Sequence, residues 1–293
     1  MSHNINQTNT PTEILIPTIK DNPHLLKILE HFGDFTTNHP PDPEGVNYLF
    51  ICYTNRSGSN YLAELMESSG QYNLAGEDLN WETALDHKNI YNFNNFHEYF
   101  NYLVQSKQQS GTFILKTAIS HIELLGKSGI LDKIIHRSKF LVIQRGDKLG
   151  QAISHALAFS TGKYTSWMEG TKSPEEIDFS APMITQILQD ILEAEHQYGE
   201  FFALNGIIPT YLTYEQIVAA PLLLCPLIAT QVGLNSFTPD LSKIKLARQA
   251  NAVNDRWRSQ FLASRNASSL RNNNTPGSTS LFIQRQHSRN SIF

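Results

Sequence analysis

Four short runs of apolar, β-branched and aromatic residues recur along the chain, and between them the apolar positions change to helical spacing. The runs 47–53 (NYLFICY), 112–116 (TFILK), 139–144 (KFLVIQ) and 209–213 (PTYLT) predict strands. Helices are predicted over 59–69, 96–107, 119–127, 148–160, 182–203 and 221–232. The clearest is 182–203, where Met183, Ile187, Leu188, Ile191, Leu192, Tyr198 and Phe202 keep to one face. Strands alternating with helices imply βαβ units. The expected fold is therefore α/β, a P-loop-like parallel sheet flanked by helices on both faces. Ligands of such sheets bind beyond the carboxyl ends of the strands.

The two ends of the chain lack this pattern. Residues 1–45 carry six prolines and only weak periodicity from Leu25 to Phe32, so they read as a partly disordered appendage with at most one short helix. Residues 46–265 form the predicted domain. Residues 266–293, rich in Asn, Ser and Arg, read as a flexible tail. The most apolar stretch, Ile217 to Leu234, is interrupted by Pro221 and Pro226, which predicts a buried helix with a break and no membrane span. Met1 to Thr12 is polar and has no secretory pattern, which points to the cytoplasm. A net charge of −4 over 293 residues argues against a general nucleic-acid binder. Two cysteines are too few for a disulfide framework, and Cys52 lies inside the first apolar run as a core residue.

The chemistry-bearing residues follow the predicted strands. After the first comes Thr54-Asn55-Arg56-Ser57-Gly58-Ser59, then a helix, and a strand, small-residue turn and helix start together make an anion site. Arg56 adds a planar fork of donors, with Ser57, Gly58, Ser59 and Asn60 beside it. The Walker pattern of nucleotide kinases is absent. After the third strand stands Arg145, where a P-loop ATPase would place a magnesium-binding aspartate, with Ser154 further along in the next helix. The bland alternative for Arg145 is a surface salt bridge to Asp147. Lys116 ends the second strand on the same rim. Two separated anions and no metal match 3′-phosphoadenosine 5′-phosphosulfate (PAPS), whose product is the 3′,5′-bisphosphate (PAP).

Four blocks, in order, resemble the sulfotransferase superfamily, and most its bacterial trehalose 2-sulfotransferase-like branch. They are RSGSNYL at 56–62, Arg145-x-Asp147 with GQAIS at 150–154, Tyr214-Glu215-Gln216-Ile217 with Pro221, and RQANAVNDRW at 248–257. The resemblance implies a sulfotransferase fold and a PAPS-dependent enzyme. It assigns Arg56 to Asn60 to the 5′-phosphosulfate, Arg145 and Ser154 to the 3′-phosphate, and Arg248 to closure over the nucleotide. Tyr214 and Glu215 read as structural. Arg56 and Lys116 would take up charge on the leaving phosphate.

The acceptor side departs from the pattern. Animal cytosolic sulfotransferases end the second strand Lys-Thr-His, with the histidine as base; here it reads Lys116-Thr117-Ala118. The trehalose branch carries two glutamates after the first helix; here Glu77 matches the first and Asn80 replaces the second. Glu77 is the first candidate base and Glu82 the second, while His121 and His155 read as packed or surface histidines. The expected acceptor is a hydroxyl on a carbohydrate, lipid or natural product, and a homodimer is left open. A catalytically silent PAP- or PAPS-binding module and a P-loop phosphotransferase are the alternatives.

Overall fold

The apolar runs form a four-stranded sheet, all parallel, in the order β2-β1-β3-β4: β1 Asn47–Tyr53, β2 Thr112–Thr117, β3 Ser138–Gln144 and β4 Thr210–Thr213. This computed structural model describes residues 14–35, 45–164, 168–246 and 252–273, with backbone alone over 267–273. Six residues of β1 and all of β2 are buried, because a parallel sheet covered on both faces leaves no solvated side. Successive residues of β1 point to opposite faces. Tyr48, Phe50 and Cys52 join Phe113, Leu115 and Phe140 on one side, while Leu49, Ile51 and Tyr53 join Ile114, Leu141 and Ile143 on the other.

The six predicted helices are all present: α2 Ser59–Ser68, α4 Phe96–Lys107, α5 Ile119–Lys127, α7 Lys148–Thr161, α8 Ala181–Leu204 and α10 Pro221–Gln231. Five more join them: α1 Pro23–Phe32, α3 Trp81–Tyr91, α6 Ile130–Ile134, α9 Tyr214–Ala219 and α11 Ala252–Asn273. The first face is covered by α1, α4, α5, α6 and α8, and the second by α2, α9 and α10. A third cluster joins α7, α8 and α11 around Trp257.

Three expectations change. The region read as an appendage does hold the one short helix expected there, α1, but it is packed into the domain, with Ile28 and Phe32 buried in the main core. Its start is local chemistry: Asn22 accepts from the amides of His24 and Leu25, and Pro23 sits where no amide partner is needed. The stretch expected to begin a tail at Asn266 continues α11 to Asn273; 274–293 lie outside the described residues. The apolar 217–234 run breaks at Ala220, and α10 is only half buried: Cys225, Ile228 and Ala229 face inward while Leu222, Leu223 and Leu227 are exposed.

Candidate active site

The strand order decides where ligands can sit. With β1 between β2 and β3, the chain leaves the middle of the sheet in both directions, and sheets of this kind take ligands in a crevice beyond the ends of the two strands at that reversal, here β1 and β3. Register aligns those ends: Cys52 pairs with Thr117 and Val142, and Gln144 with Thr213.

The loop after β1 enters this crevice. Arg56 takes a left-handed backbone (φ 65°) and Gly58 another (φ 98°). Gly58 is the N-cap of α2, and no side chain caps the helix start. A Cβ on Gly58 would lie 2.4 Å from the Tyr214 ring, so glycine is required by conformation and by space. From α7, Gln151 Nε2 donates to Thr54 Oγ1 and the Asn55 carbonyl, both at 2.8 Å, and so fastens the loop. Arg56 Nε donates to Ser154 Oγ (3.0 Å), and its Nη1 donates to the Tyr164 carbonyl. The Ser57 hydroxyl is buried without a hydrogen-bond partner.

The loop after β3 faces it. The Arg145 guanidinium lies 5.4 Å from the centre of the Tyr214 ring, and its Nε is buried without a partner. Asp147 does not pair with Arg145: it caps α7 at Gly150 N (2.9 Å) and binds Arg258 of α11 (2.5 Å). Burial, and then the positive charge of Arg145, push the Arg56 guanidinium below its ordinary range. Two cations from different strand ends thus share one place. His155 is here too, with Nε2 3.5 Å from Asn55 Nδ2 and Nδ1 buried and unpartnered; burial and the Arg56 charge lower its pKa.

Lys116 lies on the other side of β1, 2 % exposed, with its ammonium 5.0 Å from the Tyr53 ring centre. It donates to Glu77 Oε1 (2.6 Å) and to Asn60 Oδ1, joining the start of α2 to the loop that carries Glu77. Asn80 Nδ2 donates to the other Glu77 oxygen at 3.1 Å. Burial alone would raise Glu77, but the charge and hydrogen bond of Lys116, with hydrogen bonds from Asn80 and Tyr53, hold its carboxyl below the usual value. The structure therefore brings Asn60, Lys116, Glu77 and Asn80 into one chain of contacts, while Arg56 turns to Ser154 and the Tyr164 carbonyl.

One residue at this rim is not signalled by sequence. His24 of α1 accepts at Nδ1 from the Trp81 amide (3.1 Å), so its neutral ring carries the proton on Nε2. Burial lowers its pKa, while the charges of Glu82 and Glu77 raise it in part. Its ring lies 4.5 Å from that of His121. His121 is fully buried, accepts from Ala118 N at Nδ1, and is held far below the ordinary value by burial, His24 and Lys116. Glu82 is exposed in the first turn of α3. The weak periodicity from Leu25 to Phe32 marks α1 in the sequence, and it says nothing about what His24 meets.

Arg248 lies outside the described residues. The backbone amides of Lys245 and Leu246, just before it, donate to buried Glu64 at 3.0 Å each. Among the described residues, no group of His, Cys, Asp or Glu is placed to hold a metal ion, and no helix is long and apolar enough to cross a membrane. The crevice offers cations, loop amides and unpartnered buried donors, which suits a ligand with several anionic groups.

Comparison with known proteins agrees with this chemistry. No curated protein matches the chain. Five solved chains match, among them a sulfotransferase domain from the olefin synthase of Synechococcus PCC 7002. It is 15 % identical, covers 76 % of this chain and 92 % of its own, and has a TM-score of 0.38. The family model for Stf0 sulphotransferases matches residues 102–264, more than half of the chain, a stretch that holds Lys116, Arg145, Ser154 and Glu215. The chain belongs to the Stf0 sulphotransferase family.

Proposed function

We propose that the enzyme transfers the sulfuryl group of PAPS to a hydroxyl of a small carbohydrate, lipid or natural-product acceptor. The observation that carries this is the meeting of Arg56 and Arg145 at the β1/β3 crevice, with Arg145 Nε and Ser57 Oγ buried and unpartnered. Arg145 and Ser154 hold the 3′-phosphate. Arg56, with Ser57, Gly58, Ser59 and Asn60, holds the 5′-phosphosulfate, and Arg248 closes over the nucleotide.

In the reaction the acceptor oxygen bonds to sulfur as the bond from sulfur to the 5′-phosphate oxygen breaks. Arg56 and Lys116 meet the charge that grows on the departing phosphate, where fixed cations in a partly buried site act most strongly. The acceptor's proton passes to a carboxylate. Glu77 takes that role beside Lys116; Glu82, exposed in the first turn of α3, is the second candidate. The products are a sulfate ester and PAP.

Thermal melting with added nucleotide tests the donor, since a ligand stabilises by RT ln(1 + [L]/Kd). PAP raises Tm and ATP with magnesium does not; the reverse result overturns the reading. Labelled PAPS offered to an acceptor panel then tests transfer, which persists in excess chelator. PAP binding with no transfer to any hydroxyl class would favour a silent binding module.

A further inference from the structure

The Tyr214-Glu215 pair at the end of the edge strand touches both anion-binding loops. Glu215 is exposed, yet its carboxylate has a fixed posture: Oε2 accepts from Gly146 N (2.9 Å) and Oε1 from Asp147 N (3.3 Å). These are the two residues after Arg145. Burial opposes ionisation here, but those amides and the Arg145 charge keep the carboxyl below its usual range. The Tyr214 ring lies under the Arg145 guanidinium, and its Cδ2 edge packs against Gly58.

A carboxylate beside an anion site weakens anion binding by its charge, so its placement calls for a compensating effect. The geometry supplies one. The two amides are taken by Glu215, which leaves the Arg145 side chain as the donor at this strand end. A loop pinned at both amides holds Arg145 over Tyr214 with little conformational entropy left to lose on binding.

We infer that Tyr214 and Glu215 are positioning residues that set the preference for a 3′-phosphorylated nucleotide: Glu215 fixes the Arg145 loop, and the Tyr214 ring keeps that loop and the Gly58 loop in register. This rests on the PAPS reading above.

The test is calorimetric titration of the full chain with PAP and with adenosine 5′-phosphate, which lacks the 3′-phosphate, alongside thermal melts. The unsubstituted enzyme prefers PAP. Glu215→Ala lowers PAP affinity about tenfold, the scale of one charge-assisted contact, and leaves adenosine 5′-phosphate unchanged. Its Tm stays close to that of the parent, because the side chain is exposed. Glu215→Gln, which keeps one acceptor oxygen, loses less. Tyr214→Phe keeps the ring and binds as the parent does, whereas Tyr214→Leu weakens both nucleotides. An unchanged PAP to adenosine 5′-phosphate ratio in Glu215→Ala overturns the inference while the PAPS reading stands. A parent enzyme with no preference for PAP overturns the PAPS reading and takes the inference with it.

Discussion

Arg145→Ala separates binding from folding most sharply. Among the described residues the side chain makes no ion pair, its Nε has no hydrogen-bond partner, and its one ring contact is Tyr214 at 5.4 Å. A half-exposed cation–π contact of that kind contributes roughly 0.5–1 kcal/mol. Against this stands repulsion from Arg56, which removal relieves. The two effects oppose each other, so the net change in stability is within about 1 kcal/mol, or roughly 2–4 °C in Tm for a domain of this size. The loss in binding is larger. Charge-assisted hydrogen bonds to a phosphate are worth about 1.5–3 kcal/mol, which is about ten- to hundredfold in Kd. Calorimetric titration with PAP reads the second effect and a thermal melt the first. PAP affinity unchanged in a folded variant refutes the 3′-phosphate assignment. A Tm lowered by 10 °C or so would instead show that Arg145 holds the fold together.

Other substitutions probe the rest of the rim. Gly58→Ala forces a side chain into a left-handed residue and onto the Tyr214 ring; it costs at least ~1–3 kcal/mol by denaturant melting. Adding Tyr214→Ala restores only part of this, since the backbone strain remains. Glu77→Gln keeps the contacts to Lys116 and Asn80 in size but cannot accept a proton, so kcat falls at least about a hundredfold with PAP affinity nearly unchanged. Full kcat in that variant, with loss in Glu82→Gln, moves the base to Glu82. The histidines set a pH response: His24, His121 and His155 all have folded values below the ordinary 6.5, so an unfolded chain binds protons that the folded one refuses. Stability is therefore full above pH 6.5 and declines as pH falls below it. Melts at pH 7.5 and 5.5 show a smaller difference in His121→Asn, and an unchanged difference would place the effect on other groups.

Local pattern carries the secondary structure of this protein. The strand 47–53 and the helices 96–107 and 119–127 are bounded in the structure as the sequence reads, because apolar runs, Asn95 at a helix start and Ala118 after a strand act over a few residues. The strand ends likewise name Arg56, Lys116 and Arg145, since a parallel sheet exposes its carboxyl edge as a rule. What the sequence alone leaves open is who meets whom. Only the order β2-β1-β3-β4 brings Arg56 and Arg145 together, and only folding assigns Asp147 to Arg258 rather than to Arg145. The same holds for the Lys116–Glu77 pair, 39 residues apart in the chain, and for His24, delivered to the Trp81 amide by a helix 57 residues upstream. The exposed leucines of α10 belong here as well: their run is apolar throughout, so no local period tells which face is covered. Propensity, capping and turn chemistry operate between near neighbours, whereas an ion pair or a shared anion site is fixed by the burial of distant segments against one another, and that is settled only when the whole sheet and its helices pack.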